Sequence, residues 1–142
     1  MKAFSLIELI FVIVIMGILT FTGLRFIPDE TLTVDTQMLK QLILAKKSNA
    51  LGYKYTGDSN YTCITLDKDS LNNEYNYTFK SDISVNGLEN GNEVCFDYLG
   101  RPYDGKVDYN LTNLLHNDIN MILKYRNKEK NITLYPITGS IK

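Results

Sequence analysis

Cys63, Cys95, the single His116, Glu8 and four Asn-x-Thr triplets are the places in this chain where residue type points to chemistry rather than packing. Two cysteines offer either a disulfide or two thiols. Behind an export signal an even pair reads as a disulfide, here closing a loop of about 30 residues and contributing roughly 3–4 kcal/mol through the entropy of the unfolded chain. In a reducing compartment the same pair would be buried thiols. Two separated Cys and one His make an incomplete zinc set, so no metal is expected. His116 stands in LLHNDIN with no nucleophile and orienting group that the sequence places beside it, and it reads as a surface or helix-end residue. No Gly-rich phosphate loop, no His-Glu-x-x-His and no outstanding carboxylate pair occurs. The chain therefore reads as a protein without catalytic residues or a cofactor.

The four triplets start at Asn60, Asn76, Asn110 and Asn131, and each has an acidic residue two places before the Asn: DSNYT, EYNYT, DYNLT and EKNIT. Residue frequencies give about 0.2 such five-residue matches by chance in a chain of this composition, so four is a large excess. The pattern resembles the extended acceptor of bacterial oligosaccharyltransferases, which take Asp or Glu two residues before the Asn and a hydroxyl as part of the triplet. That resemblance implies N-glycosylation at one or two of the four, on exposed or flexible chain. The plain alternative is that Asn and Thr alternate on the solvent faces of strands in a polar chain.

Glu8 stands at the edge of sixteen uncharged residues, Leu9 to Leu24. A carboxylate at mid-membrane depth costs roughly 2.5–3.5 kcal/mol, so its presence there implies a partner. A cleaved secretory signal would need a small-x-small site after the apolar run, but the only alanines are Ala3, Ala45 and Ala50. A plain single-pass anchor fits the length, because 21 residues from Phe4 to Leu24 make about 31 Å of helix. Lys2 then lies on the inner side, in keeping with the positive-inside rule. That reading leaves Glu8 unexplained.

AFSLIELIFVIVIMGIL resembles the class III signal of type IV pilins and pseudopilins. The resemblance implies cleavage between Ala3 and Phe4 by a prepilin peptidase, N-methylation of Phe4, and Glu8 as the fifth residue of the mature chain. Ala3 stands where the family usually has Gly, and the leader MKA is short. The new ammonium at Phe4 is a partner for Glu8 on a neighbouring subunit. Opposite charges attract far more strongly in a low-dielectric bundle than in water, and pairing them fixes the axial stagger between subunits.

The elements that position these residues follow from periodicity. The chain divides into the leader (1–3), a transmembrane and assembly helix (4–24), an amphipathic continuation (25–52) and a β-rich body (53–142). Gly17 and Gly23 permit close helix contacts, and Pro28 interrupts the helix near the membrane surface. Leu32, Leu39, Leu42, Ile43 and Leu51 fall mostly at three- and four-residue steps with Asp35, Lys40, Lys46 and Lys47 between them, a helix with one core face that stops at Gly52. Alternating runs at 61–66, 75–79, 82–88, 93–98, 120–125 and 131–136 predict antiparallel strands, with RNKEKN as a hairpin connection. The expected fold is α+β and pilin-like: a long N-terminal helix, transmembrane in its first half, packed on a small antiparallel sheet.

A net charge of −1 argues against a broad basic face for nucleic acid. Tyr53, Lys54 and Tyr55 make only a weak case for a DNA-stacking surface. A body of 90 residues buries a modest fraction of its surface and needs a helix or a covalent staple. VCFDYLGRPYDG (94–105) and the closing ITLYPITGSIK resemble the F-x-x-x-G-R turn and last strand of minor pseudopilins of the GspH and FimT type, although Ser140 stands where that family has Arg. In any fold LGRP is also a competent turn, with Pro102 ending a strand. The resemblance implies a structural subunit of a type II secretion or type IV pilus fibre, anchored in a bacterial inner membrane with its body in the periplasm. Its implied partners are other pilin subunits, the prepilin peptidase and methylase, and the inner-membrane assembly platform. The rival from another class is a membrane-anchored binding or adhesion module that never polymerises.

Overall fold

The computed structural model describes residues 6–25, 30–51, 61–108 and 110–142, with side chains over the same ranges except 22–25. Ala3, Phe4, Pro28, Gly52, the 53–55 cluster and Asn60 lie outside the described residues. Two 20-residue helices lead the chain, α1 (Leu6–Arg25) and α2 (Thr31–Ala50). They are followed by β1 (Cys63–Thr65), α3 (Lys68–Glu74), β2 (Asp82–Asn86), β3 (Glu93–Phe96), β4 (Pro102–Asp104), β5 (Ile119–Tyr125) and β6 (Lys128–Leu134). The architecture is α+β. Its strands form two antiparallel three-stranded sheets, β1-β3-β4 and β2-β5-β6, where the sequence suggested one.

Leu32, Leu39, Ile43 and Ala50 form the buried stripe of α2, which packs on β5 and β6 of one sheet and on β1 and β3 of the other. One helix face thus closes a single core. Ile64, Val94 and Phe96 enter it from the first sheet, and Ile119, Met121, Leu123, Ile132 and Leu134 from the second. Period-two alternation puts Ile119, Met121 and Leu123 inward and Asn120 and Lys124 outward, which is what the pleat requires of a strand with one covered face.

Several expectations are corrected. Asp35 and Lys46, expected on the polar flank of α2, are buried within the stripe, because each finds a distant partner: Tyr77, Lys80 and Ser81 for Asp35, and Glu74 for Lys46. Leu51 lies past the end of the helix and is exposed. The 75–79 run is not a strand. It follows α3, a helix opened by Asp67, whose carboxylate accepts the N–H groups of Asp69 and Ser70. Its alternation instead reflects Tyr75, Tyr77 and Phe79 turning inward without a ladder partner. The hairpin expected at RNKEKN is present but tighter: Tyr125 pairs with Lys128, so Arg126 and Asn127 alone make the turn, with Arg126 at φ 55°. Pro102 begins β4 rather than ending a strand.

Among the described residues no helix is long and apolar enough to cross a membrane. The span expected over 4–24 is not met within them.

Candidate functional site

Every described side chain of α1, from Leu6 to Phe21, is exposed, the large apolar ones to between 45 and 76 %. The described side chains of α1 form no polar face. Even the Thr20 hydroxyl is turned back onto the Met16 carbonyl at 2.7 Å. A helix that is apolar on all sides is stable inside lipid or among other helices, not in water. A Cβ placed at Gly17 would meet nothing within 4 Å, so this point of the surface can accept the close approach of another helix. Glu8 lies in the first turn, exposed, with no ion pair or hydrogen bond among the described residues. Its expected partner, the Phe4 amine, belongs to the residues not described.

Cys63 and Cys95 are bonded to each other. They face one another across the β1–β3 ladder, so the bond staples two neighbouring strands of the first sheet. Both are buried, at 6 % and 0 % exposure. Glu93 brings a carboxylate near the two sulfurs, and the three ligand atoms lie within 4.8 Å of one another. With both sulfurs in the S–S bond, neither thiolate that a metal would need is present.

The 94–105 stretch forms a turn organised by Asp97. Its carboxylate accepts the N–H groups of Leu99 (3.0 Å) and Arg101 (2.8 Å), and it holds the Arg101 guanidinium through Nε and Nη2 at 2.7 and 2.6 Å. Burial, and then the Asp97 charge, push the nearby Tyr103 hydroxyl up from its ordinary value. These groups line a 160 Å³ cleft with Tyr98, Val107 and Leu111. The Arg101 cation and the Asp97 carboxylate neutralise each other, and the second carboxylate on the cleft wall, Asp108, accepts from Thr112 and Asn113.

Gly100 and Gly139, from the two stretches that carry the minor-pseudopilin resemblance, meet in space. A Cβ on Gly139 would lie 2.5 Å from the Gly100 carbonyl oxygen, and both glycines take positive φ, +59° and +75°. Lys47 of α2 fastens the junction by donating to the carbonyls of Thr138 (2.8 Å) and Gly139 (3.1 Å). Ser140 is exposed beside it, its N–H and hydroxyl hydrogen-bonded with Thr138.

Asn76, Asn110 and Asn131 all have exposed side chains. His116 is exposed in the connection from β4 to β5, on the wall of a polar cleft. Two acids, Glu89 and Asp104, line that cleft, and Asp104 is occupied by the N–H groups of Glu89 (2.7 Å) and Asn90 (3.1 Å). Among the described residues none makes a hydrogen bond with the His116 ring.

Sequence reasoning missed Asp35 and Asp97, the two carboxylates that organise the body. Asp35 binds residues 42 to 46 positions away, which no local pattern reveals. Asp97, by contrast, works within its own turn, and an acid four residues before Arg101 is a local signal that could have found it. No protein-family model, curated protein or solved structure matches this chain.

Proposed function

We propose that the chain is a pilin-like structural subunit, a minor pilin or pseudopilin, that assembles through α1 into the helical fibre of a type II secretion or type IV pilus apparatus. The observation that supports this reading is an all-round apolar, all-round exposed helix carrying a single carboxylate, Glu8, in its first turn. In the fibre, α1 helices of neighbouring copies cover one another, and Glu8 meets the methylated Phe4 ammonium of the next subunit. Before assembly the precursor rests in the inner membrane on residues 4–24. The body then lies in the periplasm, a compartment in which a disulfide persists. The Gly100–Gly139 junction supports the minor-pseudopilin form of the reading, because it joins the two stretches that carry the resemblance.

Glu8→Ala tests the proposal in cells that carry the native machine. The variant is expected in the membrane fraction at wild-type level and absent from sheared fibres. Incorporation at the wild-type level would overturn the role of Glu8, and a wild-type chain that never enters fibres would point to the anchored, non-polymerising module.

A further inference from the structure

The body holds the three quintets whose acceptor Asn is described in three different ways. EKNIT (129–133) lies wholly within β6, with Asn131 opposite Ile122, so its backbone belongs to the ladder with β5. DYNLT (108–112) is closed on itself. Asp108 accepts the Thr112 hydroxyl and, at 2.9 Å, the Thr112 N–H, while its other oxygen accepts the Asn113 N–H at 3.3 Å. The acid and the hydroxyl that flank Asn110 are therefore occupied by each other. The hydrogen bond from the Thr112 hydroxyl, first among several, holds the Asp108 carboxyl below its ordinary value.

EYNYT (74–78) starts on the last residue of α3, where the Tyr75 N–H donates to the Leu71 carbonyl at 3.0 Å, and leaves its Asn and Thr bare. The Tyr77 N–H donates to the Tyr75 carbonyl at 2.7 Å, which places Asn76 at the centre of a three-residue turn. The Tyr77 hydroxyl on Asp35 and the buried Phe79 pin the segment from one side. Asn76 and Thr78 are left exposed, and neither side chain makes a hydrogen bond among the described residues. Glu74 gives one oxygen to Lys46 at 3.0 Å and stays 43 % exposed. The three groups an acceptor quintet must show, the acid, the amide and the hydroxyl, are thus all at the surface.

We infer that, of the three acceptor asparagines among the described residues, Asn76 is the one the folded body offers for N-glycosylation, while Asn110 and Asn131 become acceptors only when the chain around them opens. The sugar donor is an oligosaccharide on a polyprenyl pyrophosphate. The new bond joins Asn76 Nδ2 to C1 of the first sugar, and the C1–O bond to the carrier breaks. Polyprenyl pyrophosphate leaves with the bonding electrons, and the amide proton passes to a base of the transferase. In the cell this requires the body to lie outside the cytosol, a premise shared with the proposed function. Because Asp108 and Thr112 must part, or β6 must leave β5, before the other two sites fit a transferase, occupancy at Asn76 should exceed either by about tenfold or more.

The test uses the purified full-length N60Q chain with its disulfide intact. It is incubated with a purified bacterial oligosaccharyltransferase and a polyprenyl-pyrophosphate-linked oligosaccharide, and each Asn is then read by peptide mass mapping. Synthetic peptides carrying EYNYT, DYNLT and EKNIT serve as the unfolded reference. The expected result is glycan at Asn76, at least about tenfold less glycan at Asn110 and at Asn131, and peptides that accept within about threefold of one another. Glu74→Gln should lower transfer to Asn76 by about tenfold. Equal occupancy of Asn131 or Asn110 in the folded chain would overturn the inference, as would an unmodified Asn76 beside a modified EYNYT peptide, or no transfer to chain or peptides. Since the enzyme is supplied to purified protein, none of these outcomes depends on fibre assembly.

Discussion

Asp35 is the residue whose replacement should damage the body most specifically. It is 1 % exposed, and its carboxylate takes three donors: the Tyr77 hydroxyl at 2.5 Å on Oδ1, and the N–H groups of Lys80 and Ser81 at 3.0 and 2.7 Å on Oδ2. It thereby ties α2 to the chain that leads into β2. Asp35→Ala strands two backbone donors and one hydroxyl and leaves a small void. At about 1–3 kcal/mol for each unmet buried donor, less for the hydroxyl, the loss should be about 4 kcal/mol. Asp35→Asn should behave differently. Its amide oxygen can face Lys80 and Ser81 while its NH₂ donates to the Tyr77 oxygen, so only the charge assistance goes, about 1 kcal/mol. Urea unfolding of the full chain with its disulfide intact reads both. With a slope near 1.5 kcal/mol per M, the midpoint should fall by about 2–3 M for Ala and by less than about 1 M for Asn.

The pH dependence gives the same residue a second test. Burial pushes the Asp35 carboxyl up, but the hydrogen bonds from Tyr77, Ser81 and Lys80 outweigh it and hold the folded value below the ordinary one. A depressed carboxyl contributes its stability fully above the unfolded value and loses it as pH falls through the folded value. The wild-type chain should therefore lose its advantage over Asp35→Asn in acid. A wild-type midpoint for Asp35→Ala, or an Asn variant as damaged as the Ala variant, would refute this account of the carboxylate.

Two further stability predictions follow from the staple and the glycine junction. Replacing Cys63 and Cys95 together by Ala removes a closed loop with a sequence separation of 32 and should cost about 3–4 kcal/mol. Reducing the wild-type chain should shift its unfolding midpoint by a matching amount. Gly139→Ala places a Cβ 2.5 Å from the Gly100 oxygen at a φ of +59°, and a loss of about 2 kcal/mol or more is expected in the same urea assay.

Much of this molecule is written in local pattern. The α2 stripe of Leu32, Leu39 and Ile43 and the alternation of Ile119, Met121 and Leu123 can be read directly, because side chains facing one core must repeat with the period of their element. The same logic misleads at 75–79, where aromatic residues alternate inward without any strand to pair with. It also misses α3, a seven-residue helix announced only by the cap at Asp67. Charge burial is harder to see. Asp35 and Lys46 look like a solvated flank until folding brings Tyr77, Ser81 and Glu74 to them. At the candidate sites, the cysteine pair was legible by count, but its place across the β1–β3 ladder was not. The acceptor quintets were legible as motifs, whereas their presentation depends on the hydrogen bonds of each turn. For α1 the sequence is eloquent for a different reason: its apolar run is unbroken, and among the described residues nothing covers the side chains from Leu6 to Phe21.

The most direct test of the central claim is the intact mass of the native protein extracted from membranes. The account predicts a chain that begins at N-methylated Phe4 and is lighter by two hydrogens for the Cys63–Cys95 bond, with any glycan as a separate increment. A chain that still begins at Met1 would contradict it, because Glu8 would then have no processed ammonium to pair with.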